Sequence, residues 1–155
     1  MRKPFIMVVD DNRITTKLLR RYLEATGLEA TEAYDGIDCL EKVKERYPDA
    51  IVLDVMMPRM DGYETVKKLK GNAATEHIPV VIVTALNDVA NQIKSIEAGS
   101  DDFLSKPIEE KLLIAKVSLL SKWHLEKSKA DALESYINSG GSGKSPKEIY
   151  EEAGI

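Results

Sequence analysis

The chain has 155 residues, 43% of them hydrophobic and 31% charged, enough for one well-packed domain with a short appendage. Its formal net charge of −4 gives no general attraction to nucleic acid or anionic lipid, so neither a nucleic-acid nor a membrane partner is expected. The first apolar run meets Asp10 after five residues, too short for a signal peptide or a span, and the single Cys39 cannot close an internal disulfide; a cytoplasmic protein is the expectation.

In chain order, Phe5 to Val9 is an unbroken apolar run ending in Asp10-Asp11, the pattern of a buried parallel strand. From Asn12 to Ala25 the positions Ile14, Leu18, Leu19, Tyr22 and Leu23 follow helical spacing, and Gly27 is a C-terminal cap. Leu28 to Tyr34 alternates weakly, as a partly exposed second strand. A helix through Ile37, Leu40 and Val43 is stopped by Pro48. Cys39 within it is expected to be a small buried apolar residue. Ala50 to Leu53 forms a third strand that delivers Asp54 to its end. A helix follows from Gly62 to Lys70, then the strand 78–83 ending at Thr84, a helix over Asp88 to Ala98 stopped by Gly99, and a short strand over Asp102 to Ser105. Lys106-Pro107 leads into a long helix from Ile108. His77 and His124 are far apart in sequence and suggest no metal cluster.

Five strands alternating with five helices through short connections predict a doubly wound α/β fold. Right-handed crossovers favour the flavodoxin-like parallel order 2-1-3-4-5, with an extended C-terminal helix and a short tail beyond it. Its switch point lies between strands 1 and 3, the strands that end in Asp10-Asp11 and Asp54. Ligands bind at that carboxyl edge in such sheets. Three carboxylates gathered there repel one another unless a cation is present, and an oxygen donor set suits Mg²⁺. Thr84 adds a hydroxyl and Lys106 an ammonium on neighbouring strands. The set describes a phosphoryl site, with Asp54 as nucleophile and Asp10 and Asp11 as metal-binding residues. Taken singly, Asp10 or Asp11 could only N-cap the first helix, and Lys106 could be an ordinary surface lysine; their meeting at corresponding strand ends favours the site.

Val8-Val9-Asp10-Asp11, Leu53-Asp54-Val-Met-Met-Pro58 with Asp61-Gly62, Val83-Thr84-Ala85 and Lys106-Pro107 resemble the signature of the receiver domain of bacterial two-component response regulators. The resemblance runs from about Phe5 to about Lys122. It implies that Asp54 accepts a phosphoryl group from a histidine kinase or a histidine phosphotransfer protein. Asp10, Asp11, Asp54 and the Met56 backbone carbonyl would surround Mg²⁺, and Thr84 and Lys106 would contact the phosphoryl oxygens. It also implies a cis Lys106-Pro107 peptide, and a switch in which Thr84 is coupled to Phe103 on the face of the fourth helix, fifth strand and last helix. Ile14, Leu18, Pro107 and Ile108 resemble the patch that receivers offer to phosphotransfer helices, although a core position is the plainer expectation for Leu18.

Met56 and Leu86, two residues after Asp54 and Thr84 respectively, are apolar where receivers can hold a hydrolytic water, so slow loss of the acyl phosphate is expected. The chain is thus read as a signalling switch that promotes its own phosphorylation, not as a metabolic enzyme. A phosphatase with an aspartyl-phosphate intermediate would need an acid at Met56, and a pure docking module would need none of the five polar residues.

The expected division is a receiver over 1–122, an extension of the last helix over 123–137, a flexible linker over 138–145 and a helical tail over 146–155. Lys106 to Ser121 resembles receivers that precede diguanylate cyclase modules. In the extension, Leu119, Trp123, Ala130, Leu133 and Ile137 fit a heptad-like seam interrupted by Glu126. A homodimer through this helix and a solvated overhang are equally compatible with that pattern. Ser145-Pro-Lys-Glu148 is a capping box with Pro at the first helical position.

Overall fold

Strands β1 (Phe5–Val9), β2 (Glu29–Ala33), β3 (Ala50–Asp54), β4 (Val80–Thr84) and β5 (Asp102–Ser105) form one sheet in the order β2-β1-β3-β4-β5. All four pairings are parallel. The structure is a computed structural model that describes residues 2–85 and 88–155. Helices α1 (Arg13–Glu24), α2 (Gly36–Glu45), α3 (Gly62–Lys70), α4 (Val89–Ala98) and α5 (Glu110–Asn138) follow the successive strands, and α6 (Pro146–Glu152) completes the described chain. The flavodoxin-like order expected from the sequence is the one observed.

Successive strand residues face opposite sides of a sheet, and here the two sides build separate cores. Met7, Val9, Ile51, Leu53, Val80 and Ile82 pack with Cys39, Val43, Val66 and Leu69 of α2 and α3. Ile6, Val8, Val52, Val81 and Leu104 pack with Leu19 and Leu23 of α1 and with Leu113 and Val117 of α5. Strands β1, β3 and β4 are therefore buried throughout, whereas the edge strand β2 is only partly buried. Cys39 is fully buried. Of the adjacent pair in α1, Leu19 and not Leu18 is turned inward; Leu18 is 46% exposed. Adjacent residues on a helix lie about 100° apart, so both cannot face the sheet.

Capping fixes where the helices begin. Asn12 caps α1 by accepting the Ile14 and Thr15 N–H groups, which frees Asp10 and Asp11 from that task. Asp35, Asp61 and Asp88 cap α2, α3 and α4 in the same way. At Gly62 a Cβ would lie 2.4 Å from the Asp54 carbonyl oxygen, so only glycine lets α3 start this close to the end of β3.

Helix α5 has 29 residues, about 43 Å at the usual rise, and it continues past the sheet. Its next turns are not a solvated overhang on every side: Ser121, His124, Leu125 and Lys129 are buried. The anchor is at the sheet's amino edge. There the fully buried Asp49 carboxylate accepts the Arg2 guanidinium at 2.6 and 3.1 Å, the Phe5 N–H at 2.8 Å and His124 Nδ1 at 2.9 Å. The His124 ring stacks on His77 with centroids 5.1 Å apart. These donors outweigh the cost of burial and hold the Asp49 carboxyl down at about 2.

After a turn at Gly140 and Gly141, α6 folds back on α5. The capping box is formed on both sides, Glu148 N–H to Ser145 Oγ and Ser145 N–H to Glu148. Ile149 is buried, and the Lys129 ammonium lies 5.8 Å from the Tyr150 ring centroid. The outer seam is left open, with Leu119, Trp123 and Ile137 all exposed. Among the described residues no helix is long and apolar enough to cross a membrane.

Candidate functional site

Register brings the acids together. Val9 pairs with Leu53 across β1 and β3, so the next residues, Asp10 and Asp54, leave the sheet side by side. Asp10, Asp11 and Asp54 each present a carboxylate oxygen, and the three oxygens lie within 4.8 Å of one another. Asp10 and Asp54 are buried, whereas Asp11 is exposed and opens the group to solvent. A hard, all-oxygen set with one side open to water is what Mg²⁺ takes.

Lys106 reaches this cluster from the end of β5. Its Nζ is 2.8 Å from Asp54 Oδ1 and 3.9 Å from Asp10 Oδ2. Its backbone N–H donates to the Thr84 carbonyl at 2.9 Å, and Thr84 is itself buried at the end of β4, in register with Ser105. The Lys106-Pro107 peptide is cis, as the resemblance implies.

The electrostatics are those of a site short of positive charge. Burial, with help from the Asp54 carboxylate, pushes the Asp10 carboxyl up to about 6, against the lowering effect of its hydrogen bond from Asn12 N–H. Burial also raises Asp54, although Lys106 works in the other direction. Burial disfavours the Lys106 ammonium, but the hydrogen bond to Asp54 and the surrounding carboxylates raise its pKa overall. One ammonium does not neutralise three acids, and a divalent cation would complete the balance.

The remaining sequence candidates separate into neighbouring surfaces. Met56 lies in the β3–α3 loop with its side chain 67% exposed. Phe103 is half-buried and lines a groove of about 220 Å³ with Gln92, Ser95 and Ile96 of α4. Leu18, Lys106, Pro107 and Ile108 line a second groove of about 300 Å³ between α1 and the start of α5. Ile14 is not part of that lining; it is 80% exposed one turn away. Leu86 lies outside the described residues. Sequence reasoning missed two arrangements, the Asp49–His124 anchor and an Arg59–Asp35 pair between the β3–α3 loop and the start of α2. The sequence signal for the second was Arg59 itself, a cation in the loop between the nucleophile candidate and Gly62.

Comparison with known proteins identifies the family. Residues 6–118 match the response regulator receiver domain family. The response regulator PleD of Caulobacter vibrioides is 43% identical over 120 residues, which cover 77% of this chain and 26% of that protein. The response regulator MprA of Mycobacterium tuberculosis is 39% identical over 115 residues, or 74% of this chain and 49% of that one. The chain thus matches about a quarter to a half of the length of these relatives. Among solved structures, a Francisella response regulator receiver domain superposes with a TM-score of 0.73 at 34% identity, covering 77% of this chain and 98% of its own. The chemotaxis protein CheY4 of Vibrio cholerae has the same fold, with a TM-score of 0.73 at 24% identity over 77% of this chain and 99% of its own. With a family match over residues 6–118 and the same strand order as its solved neighbours, the chain belongs to the response regulator receiver domains of two-component systems.

Proposed function

We propose that Asp54 accepts a phosphoryl group from the phosphohistidine of a histidine kinase or a histidine phosphotransfer protein. The carrying observation is the meeting of Asp10, Asp11 and Asp54 within 4.8 Å, with the Lys106 ammonium 2.8 Å from Asp54. An Asp54 oxygen attacks phosphorus, the P–N bond breaks with its electron pair going to the imidazole nitrogen, and an acyl phosphate remains. Asp10, Asp11, Asp54 and the Met56 carbonyl would hold Mg²⁺, which would supply charge neutralisation for the phosphoryl oxygens. Lys106 shifts its ammonium from the Asp54 carboxylate to a phosphoryl oxygen, and the Thr84 hydroxyl donates to another. The groove lined by Leu18, Pro107 and Ile108, with Ile14 beside it, receives the donor's helix.

The output is a change of partner contacts on the α4–β5–α5 face. Thr84 turning toward the phosphoryl group alters the space available to the Phe103 ring, and the exposed Val89, Ile96, Leu119 and Trp123 supply apolar contacts there. A second copy of this chain docking through α5 is one such partner. In this reading the protein is a switch and not a metabolic enzyme, and a cytoplasmic location goes with it. Met56 offers no acid or base to an attacking water, so the acyl phosphate is long-lived.

Intact-protein mass after incubation with acetyl phosphate and Mg²⁺ tests this. The expected result is a gain of one phosphoryl mass that is absent in Asp54→Asn. No adduct with the donor unconsumed would overturn the phosphoacceptor role, and donor consumed without an adduct would overturn the slow-hydrolysis part.

A further inference from the structure

Arg59 is the one non-glycine residue with positive φ among the described residues, at 66°, a backbone region that L side chains seldom adopt. It sits at the centre of a three-residue turn closed by the Met60 N–H on the Pro58 carbonyl at 2.7 Å, a rare kind of turn. Its guanidinium leaves the acid cluster alone and reaches away from it to Asp35. Nε donates to Asp35 Oδ2 at 3.0 Å, and an Nη2 hydrogen goes to the same oxygen. The other oxygen, Oδ1, accepts the Asp38 N–H at 2.8 Å and so caps α2. One nearly buried carboxylate therefore joins the first turn of α2 to the middle of the β3–α3 loop.

That loop carries Met56. It is held at its start by the Val55 N–H on the Val83 carbonyl at 3.2 Å, and at its end by the Gly62 N–H on the Val55 carbonyl at 2.9 Å. Arg59 is a side-chain tether between those points. Close packing backs it up: a Cβ on Gly36 would lie 2.2 Å from Thr65 Oγ1 and 3.1 Å from Met60, so α2 already presses on the loop's far end.

We infer that Arg59 is a positioning residue for the acid site. Through Asp35 it fixes the β3–α3 loop in its strained turn and so keeps the Met56 carbonyl available as a fourth oxygen ligand beside Asp10, Asp11 and Asp54. This rests on the proposed metal-dependent function. Partners of metal ligands that act from outside the ligand shell commonly tune affinity.

Charge and position make opposite predictions here. Arg59→Asn removes the tether while tolerating the positive φ; by Coulomb attraction alone, loss of a positive charge could only tighten Mg²⁺ binding. If the tether positions the loop, Mg²⁺ binds more weakly. Calorimetric titration of the unphosphorylated chain with Mg²⁺ is expected to show affinity lowered about three- to tenfold in Arg59→Asn, less than for a buried partner because Arg59 is largely exposed. Asp35→Asn keeps the α2 cap and should lower affinity similarly, and the double variant should be no worse than the weaker single one, since both remove one contact. Hydrogen exchange without metal should speed up at residues 56–60 in Arg59→Asn and not in α2. Unchanged or tighter Mg²⁺ binding in that variant, or unchanged loop exchange, would overturn the inference. A wild-type chain that takes no Mg²⁺ would instead overturn the metal-dependent reading beneath it, and exchange alone would then decide whether the tether holds the loop.

Discussion

The two edges of the sheet each bury aspartate, and they treat it in opposite ways. At the amino edge Asp49 is surrounded by donors from Arg2, Phe5 and His124 and is held near 2. At the carboxyl edge Asp10 faces Asp54 with a single shared lysine and is pushed to about 6. Burial costs the charge at both places. Donors repay that cost only at the first; at the second, three carboxylates share one ammonium, a balance that a bound cation would complete.

Breaking the satisfied end has the largest effect. Asp49→Ala leaves the Phe5 N–H and the Arg2 and His124 side chains without their acceptor and is expected to cost about 3–5 kcal/mol, measured by urea unfolding. The pH dependence has a definite sign. The Asp49 pKa is lower in the folded than in the unfolded chain, so its contribution is present above about pH 4 and is lost as pH falls toward 2. Urea midpoints of the wild type should show that acid loss, and those of Asp49→Ala should fall less steeply over the same range, since Glu29 and Asp35 are lowered too.

Relieving the unsatisfied end works in the other direction. The raised Asp10 pKa means that the folded state holds its proton more tightly than the unfolded chain, so this group's contribution falls as pH rises from about 4 through 6. Asp10→Asn should therefore stabilise the metal-free protein at pH 7.5 by about 1–2 kcal/mol. Added Mg²⁺ should stabilise the wild type and leave this variant unmoved. A destabilised metal-free Asp10→Asn would remove the contrast between the edges. The smallest effect sharpens it: Arg2→Met takes the two guanidinium hydrogen bonds from Asp49 and leaves those from Phe5 and His124, at a cost of about 1 kcal/mol, because Arg2 is itself partly exposed. Carboxyl titration by NMR should then find Asp49 moved upward, toward the behaviour of Asp10.

The carboxyl edge was legible in the sequence because topology does the assembling. Apolar runs that each end in Asp10-Asp11, Asp54, Thr84 or Lys106 must converge once the sheet is parallel. The amino edge was not legible. Asp49 and His124 are 75 residues apart, and Asp49 and Arg2 are 47 apart. His124 reaches Asp49 only because α5 runs on past the sheet, and so His77 and His124, distant in the chain, end as a stacked pair. Leu18 and Leu19 show a finer limit. Helical spacing marks an apolar side of α1 but does not say which of two adjacent leucines faces the sheet. The α5 seam of Leu119, Trp123 and Ile137 was read as a stripe, and it is one. What could not be read was that the opposite side of the same helix is covered by the sheet edge and by α6.

The Asp49–His124 contact also divides α5 by task. Fourteen residues separate Glu110 from His124 and fourteen more lead to Asn138, arms of about 21 Å each. The first arm packs Leu113 and Val117 into the core beneath the sheet, and the second continues past the sheet and carries α6. One buried aspartate therefore marks where a covering helix becomes a mast for the tail.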